Sequence, residues 1–467
     1  MRRLAFHALL AVSGCTGTLD LPWADTGAVG AIPFPRAPGG LATPTPASTP
    51  FVPGTLPDDF GDGHSGDMTA TGPVTVNPCA ALANATAGAT DIASPPPPGA
   101  AAGDRVLLWQ VQDTFAIQGD TGTVTAPGGA GLFEFARLAT VTGSTFTLTL
   151  PLANGYSSGA TRRAQVCTIP EFQNASVFNG GALSGTPWNG ETGGLVALFA
   201  QNLAIDGPVT ADGIGFRGGE ESSGEDGGED RVALETDADA GGGKAEGLDR
   251  SGYGRFGRGN FANAAGGGNS RNGGGGGGGN RGSGGIGGRQ NTLMGIVDDT
   301  RGLPGTAVVT SDLRFVMGGG GGGGHQNDGL QADGGNGGGL VLLFAQNLLL
   351  GSNGSIRADG APGIGNGAGG TGDGGGGGGA GGMIVVVLEN DTFSAGTIRA
   401  RGGDGGNLND STDTQGPGGG GGGGVFLGNF QNLVGAAVTA GGDRGLNFGG
   451  DPNGAENGAN GVSELTP

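Results

Sequence analysis

Reactive side chains are scarce in this chain, so each can be weighed singly. It holds three histidines (His7, His64 and His325), three cysteines and one lysine, Lys244. The densest set of hard donors is Asp58-Asp59-Phe60-Gly61-Asp62-Gly63-His64-Ser65-Gly66-Asp67. Carboxylates at Asp58, Asp59, Asp62 and Asp67 are the oxygen ligands that a hard cation such as Ca²⁺ takes. Their spacing matches neither an EF-hand loop nor the nine-residue period of calcium-binding β-rolls, and it equally suits a solvated turn. In a second set, His325-Gln326-Asn327-Asp328 follows a glycine run. There His325, Asn327 and Asp328 gather polar groups at one rim, as a ligand site or as a cap for the end of the run. No Ser-His-Asp or Cys-His arrangement can be assembled. The glycine runs are not phosphate loops, because no Gly-Lys-Ser/Thr follows them and the lysine lies elsewhere. Asp212, Asp333 and Asp359 recur in Ala-Asp-Gly. Paired carboxylates across a groove would serve polysaccharide cleavage, but Ala-Asp-Gly is also turn chemistry. The expectation is therefore a chain with no catalytic residues, no enzyme activity, and no cofactor beyond a loosely held Ca²⁺.

The charge balance narrows the partners. Asp and Glu number 42 against 22 Lys and Arg, for a formal net charge of −20. Such a chain is repelled by nucleic acid and by anionic membrane faces. The stretch from Glu220 to Asp249 is acidic, and that from Arg250 to Arg289 is Arg-rich with Tyr253, Phe256 and Phe261. Arg-Gly-aromatic segments can bind RNA, but the two halves are expected to pair with each other or to form a solvated loop.

These residues need elements to position them, and the elements are unusual. Of 467 residues, 115 are Gly and 25 are Pro, a share at which disorder is the default. Yet the runs Gly318–Gly324, Gly374–Gly379 and Gly418–Gly424 lead into, or lie close before, large apolar stretches. A fourth run spans Gly273–Gly279. From residue 190 an imperfect repeat is legible. Its copies begin at Leu195-Val196-Ala197-Leu198-Phe199, at Leu340 to Leu348, at Met383 to Leu388 and at Val425 to Phe430. Each continues into a short alternating segment, starting at Val209, Ile356, Ile398 and Val438. Period-2 alternation argues for strands. Uneven spacing rules out a strict solenoid period. Polyglycine can adopt a threefold extended helix without internal hydrogen bonds. Several such helices in one chain can satisfy one another's backbone groups.

The expected organisation has four parts. Residues 1–15 read as a signal peptide, 16–57 as a Pro-rich tether, 58–180 as a small β-domain, and 190–467 as a glycine-rich repeat domain with a polar insertion at 220–290. The fold class is all-β: the small β-domain is followed by a bundle of β-strands and polyglycine II helices, with an irregular β-solenoid as the alternative. Within 58–180, strands are expected near Asp104–Val111, Leu132–Leu138 and Ala164–Ile169, with a hairpin at Val141–Leu150. In an exported chain the even pair Cys79 and Cys167 suggests a disulfide, with two free thiols as the other reading.

Val12-Ser13-Gly14-Cys15, after Arg2-Arg3 and the apolar stretch from Leu4, resembles a bacterial lipobox. The resemblance implies acylation of Cys15 (palmitate included) and anchoring to a membrane. Thr16 in place of Asp implies the outer membrane. Glycine runs leading into short strands resemble the glycine-rich domain of the anaplastic lymphoma kinase receptor and phage tail-tip adhesins. Gly103-Asp104-Arg105-Val106-Leu107-Leu108-Trp109-Gln110, Phe133-Glu134-Phe135-Ala136-Arg137, Pro187-Trp188-Asn189-Gly190 and the glycine run with His325-Gln326-Asn327-Asp328 are similar to a group of uncharacterised glycine-rich bacterial surface lipoproteins. Together these imply a non-enzymatic, surface-exposed lipoprotein acting as a structural or adhesive scaffold, with glycans or envelope proteins as partners. A polysaccharide-acting β-helix enzyme and a tail-fibre-like ligand-binding module are the alternatives.

Overall fold

In the computed structural model, the described residues are 56–114, 123–221, 241–250, 254–290, 300–326, 332–365, 373–409, 414–430, 433 and 437–465. The signal-peptide and lipid-anchor reading at Cys15, nearly all of the tether, and Asn327 and Asp328 lie outside them.

Strand–turn–strand units stack in parallel. The first comprises β1 (Asp67–Ala70) and β2 (Pro73–Val76). An inserted block follows: β3 (Cys79–Ala81), β4 (Asp91–Ile92), β5 (Arg105–Gln112), β6 (Thr123–Val124), β7 (Phe133–Val141), β8 (Phe146–Leu148) and β9 (Arg163–Ile169). The stack resumes with β10 (Glu171–Val177) and β11 (Ala182–Gly185), then β12 (Leu195–Ile205) and β13 (Pro208–Thr210). After the short β14 (Ala307–Val308) come β15 (Leu340–Leu350) and β16 (Ser355–Arg357), then β17 (Met383–Ser394) and β18 (Thr397–Arg399). β19 (Val425–Gly428) and β20 (Val462–Leu465) close the series.

The first strands of the units form one parallel sheet in the order β1-β10-β12-β15-β17-β19-β20. The second strands form another, β18-β16-β13-β11-β2. The repeat read from residue 190 is therefore real, and its copies align in register: Leu195 with Leu340 with Met383, and Phe199 with Phe344 with Val387. Two units were not legible. β1, β2 and β10 lie inside the segment assigned to the small β-domain and β11 lies just beyond it, with the β3–β9 block inserted between the two units. The antiparallel sheet β3-β9-β5-β7-β8-β4 has the expected strands and hairpin, and a Cys79–Cys167 disulfide joins β3 to β9. The boundary at residue 180 thus falls within one compact unit.

The long parallel sheet is covered on both faces, which explains why its strands are continuously apolar. Val196, Leu198, Val341, Leu343, Ile384 and Val386 pack against Val209, Ile356 and Ile398 of the second parallel sheet. Their neighbours Leu195, Phe199, Leu340, Phe344 and Met383 pack against Leu107, Trp109, Phe133 and Phe135 of the inserted sheet. Phe199 and Phe344 stack at 4.4 Å between centroids.

The glycine runs are ordered, and their hydrogen bonds reveal the geometry. Gly274 and Gly277 donate to Gly288 and Gly285. Gly275 and Gly278 donate to Gly375 and Gly378, and Gly276 and Gly279 to Gly266 and Asn263. Every third residue reaches the same neighbour, so the run turns once per three residues, as polyglycine II does. The same threefold division holds for Gly418–Gly424, whose amides reach Gly406, Gly403 and Ala400, Gly275 and Gly278, and Glu456 and Ala459 in turn. Strand pairing passes into helix pairing without a break: Met383 donates to Gly339 and Val425 to Gly382. Only glycine fits here, since a Cβ on Gly277 would collide with the carbonyl oxygen of Gly420. Residues 259–288, read from sequence as part of a polar insertion, are mostly buried members of this bundle, with Arg271 exposed. Their Arg-Gly composition reads as polar, while the backbone bonding that buries them depends on glycine and carries no hydropathy signal. Among the described residues there is no α-helix, and none long and apolar enough to cross a membrane.

Candidate functional site

The aspartate-rich segment does not converge on one point. Asp58 is exposed. Asp59 pairs with Arg105 at 2.6 Å, and Asp67 accepts from the Asn174 side chain at 2.9 Å. Asp62 instead meets His64, whose Nδ1 lies 2.6 Å from Asp62 and 3.3 Å from Glu171. His64 Nε2 lies 3.3 Å from Asp104. The ligand atoms of Asp62, His64 and Glu171 fall within 4.8 Å of one another.

Glu171 decides the chemistry of this cluster. It is fully buried, and both its oxygens are taken. Oε1 accepts from Arg105 Nε at 2.9 Å and from Arg137 Nη2 at 2.8 Å, while Oε2 accepts from Arg137 Nη1 at 2.8 Å. A divalent cation here would sit beside two guanidiniums and compete for the same lone pairs. A ring nitrogen among three donors is also a poor match for Ca²⁺, which takes six to eight oxygens. The arrangement is an ion-pair knot, and it does not fit a Ca²⁺ cage. It clamps residues 59–64 onto β5, β7 and β10, where the inserted sheet meets the stack. Partial burial works against the His64 imidazolium, but the bond to Asp62 and the charges of Asp62 and Glu171 outweigh it and raise its pKa. Burial likewise opposes ionisation of Asp62, and the bonds from His64 overcome that and lower its pKa.

His325 is buried at the end of the second glycine run, and its Nδ1 accepts from the Asn272 amide at 3.1 Å. Its own amide donates to Gly273. It stands at the end of that run, where the sequence suggested a ligand site or a cap.

The Ala-Asp-Gly aspartates are turn acceptors that link one unit to the next. Asp212 Oδ1 accepts from the Asp359 amide at 2.8 Å, and Asp359 Oδ1 from the Arg401 amide at 2.7 Å. Asp333 Oδ1 accepts from the Glu221 amide at 2.8 Å. Asp359 also pairs with Arg399 at 2.5 Å. Its pKa is raised by burial and by the charge of Asp212.

An asparagine ladder runs through two of the Gln-Asn-Leu repeats, at Asn202 and Asn347, and extends to Asn174 and Asn390. Asn202 donates to Asn174 at 2.9 Å, Asn347 to Asn202 at 2.9 Å, and Asn390 to Asn347 at 3.4 Å. Sequence reasoning also missed Arg105, Arg137, Asp104 and Glu171. The signal that unites them is the return of the chain to the stack after the insertion, which no local spacing records.

No family model matches the chain, and a search of curated proteins returns no match. Among solved structures, the tailspike protein gp49 from Pseudomonas phage LKA1 is similar over 79% of this chain and 60% of its own, at 11% identity and a TM-score of 0.16. The chain thus spans about 60% of that tailspike's length. A likeness this slight carries no argument about what the chain does.

Proposed function

We propose that this chain is a non-enzymatic scaffold of the bacterial surface, held to the outer membrane by a lipid on Cys15 and acting in a structural or adhesive role. The observation that supports it most is the internal use of its polar groups. Glu171 of the buried knot and Asp212, Asp333 and Asp359 of the Ala-Asp-Gly segments are bound to arginines or to backbone amides of adjoining segments. What this arrangement serves is a rigid three-layer body fused to a glycine bundle. Such a body can present loops and edges to glycans or envelope proteins without moving.

Two experiments separate the parts of the proposal. Cys15→Ala is expected to move the protein from the membrane fraction to the soluble fraction, and retention on the membrane would overturn the anchor. Glycan-array binding by the full chain is expected to show adhesion; no binding to any glycan would leave a purely structural role.

A further inference from the structure

Asn-Gly pairs recur along the chain, and asparagine is a chemically labile residue. Such a pair can lose ammonia by one route. The glycine amide nitrogen attacks the asparagine Cγ, and the new N–C bond closes a five-membered succinimide. The bond from Cγ to Nδ2 breaks, and ammonia leaves with the proton that the glycine gave up. Water then opens the ring, at Cγ to give aspartate or at the backbone carbonyl to give isoaspartate. The route needs a glycine amide without an acceptor and a side-chain amide able to swing onto it.

The fold opposes this route at the other described pairs. In the glycine bundle the glycine amides are bonded across segments: Gly337 donates to Phe216 at 2.8 Å, Gly458 to Gly442 at 3.0 Å and Gly461 to Thr439 at 2.7 Å. The asparagines before them are held as caps, with Asn336 Oδ1 accepting from the Gly218 amide, Asn457 Oδ1 from Arg444 and Asn460 Oδ1 from Gly441. Elsewhere Gly273 donates to Ser270 and Gly354 to Gly351, while Asn353 Nδ2 is held by Asp206. Asn189 Oδ1 accepts from the Glu191 and Thr192 amides. Asn154 and Asn453 are buried, their Nδ2 atoms donating to the carbonyls of Phe133 and Gln415. Asn179-Gly180, in the turn between β10 and β11, differs on each count. Both residues are exposed. Among the described residues, neither the Asn179 side chain nor the Gly180 amide has a hydrogen-bond partner, because the turn is closed one residue later, by the Gly181 amide on the Phe178 carbonyl at 2.8 Å. Gly180 stands at φ +93°, and a Cβ there would meet nothing within 4 Å, so the ring has room to form.

We infer that Asn179 is a site of spontaneous modification in the folded chain, passing through the succinimide to aspartate and isoaspartate. Each event replaces a neutral amide with a carboxylate, on a turn stacked against that of Asp206, whose amide donates to Val177 at 2.7 Å. The inference is independent of any ligand or anchor. It is tested by holding the full chain at mildly alkaline pH, native and in urea, and following each Asn-Gly pair by peptide mapping with mass spectrometry. In the native chain Asn179 should convert at the rate it shows in urea. Asn336, Asn457 and Asn460 should convert about tenfold or more slowly than they do in urea, since their glycine amides must first break a bond to another segment. A native rate at Asn179 that is itself slowed about tenfold or more overturns the inference, as does native conversion of the bundle pairs as fast as that of Asn179.

Discussion

At Glu171 one fully buried carboxylate serves two guanidiniums, and Asp59 and Asp62 approach the same pair from the surface side. Removing that charge while keeping the shape would leave Arg105 and Arg137 buried and under-compensated. Breaking a buried pair from one side costs about 3–5 kcal/mol. Glu171→Gln is therefore expected to lower unfolding stability by that order in urea titration, and a loss under about 1 kcal/mol would mean water already compensates the arginines. His64 gives the knot a pH dependence. Its folded pKa is raised above the ordinary 6.5, so the native state holds the proton more tightly than the unfolded chain. The stabilisation is complete below the unfolded value and is lost as pH rises through the folded one. The melting-temperature advantage of the native chain over His64→Gln should shrink as pH rises from the unfolded value, about 6.5, through the raised folded one. A difference that stays flat across that window would show that His64 does not feel Asp62 and Glu171 as charges.

The parallel strands and the glycine helices are one kind of element seen at two side-chain sizes. The ladder that begins as Leu340 on Leu195 continues backwards into glycine, where neighbours lie on three sides instead of two. Removing the side chain is what allows the third neighbour. Gly277→Ala places a methyl against the Gly420 carbonyl, while Gly143→Ala in the β7–β8 turn meets nothing within 4 Å. Overpacking of this kind costs about 1–3 kcal/mol or more. Gly277→Ala should lower the melting temperature by several degrees and Gly143→Ala should leave it nearly unchanged; equal behaviour would mean the bundle yields freely. The glycine–strand junction was legible because Val425 follows its run directly and Met383-Ile384-Val385-Val386-Val387 lies three residues beyond its own. The longer strands of the inserted sheet were legible, since Phe146-Thr147-Leu148 and Arg105 to Gln112 carry ordinary strand patterns, while the short β3 and β4 were not. The first two units were not. Asp67-Met68-Thr69-Ala70 and Pro73-Val74-Thr75-Val76 are too short to announce a repeat, and their partners lie about a hundred residues away across the insertion. The bundle members at 259–288 were missed for a related reason: backbone pairing leaves no hydrophobic pattern behind.

For the whole molecule, the layers and the bundle share strands, so the glycine-rich part should not melt apart from the rest. Every glycine amide from Gly274 to Gly279 is bonded to a neighbouring segment, and those residues are buried. The polar sites follow the same logic, because Asp359 and Asn202 tie successive units together and Glu171 ties the inserted sheet to the stack. The surface role proposed for the chain depends on this rigidity, which a glycine-rich linker would lack. The most direct measurement is amide hydrogen exchange on the full chain labelled at glycine and leucine nitrogen. Gly274–Gly279 and Gly418–Gly424 should show protection of the same order as Leu342 and Leu343 in β15, since all would exchange through the same global opening. Exchange of the glycine runs at the rate of an unstructured peptide, with β15 still protected, would contradict the bundle and with it the scaffold.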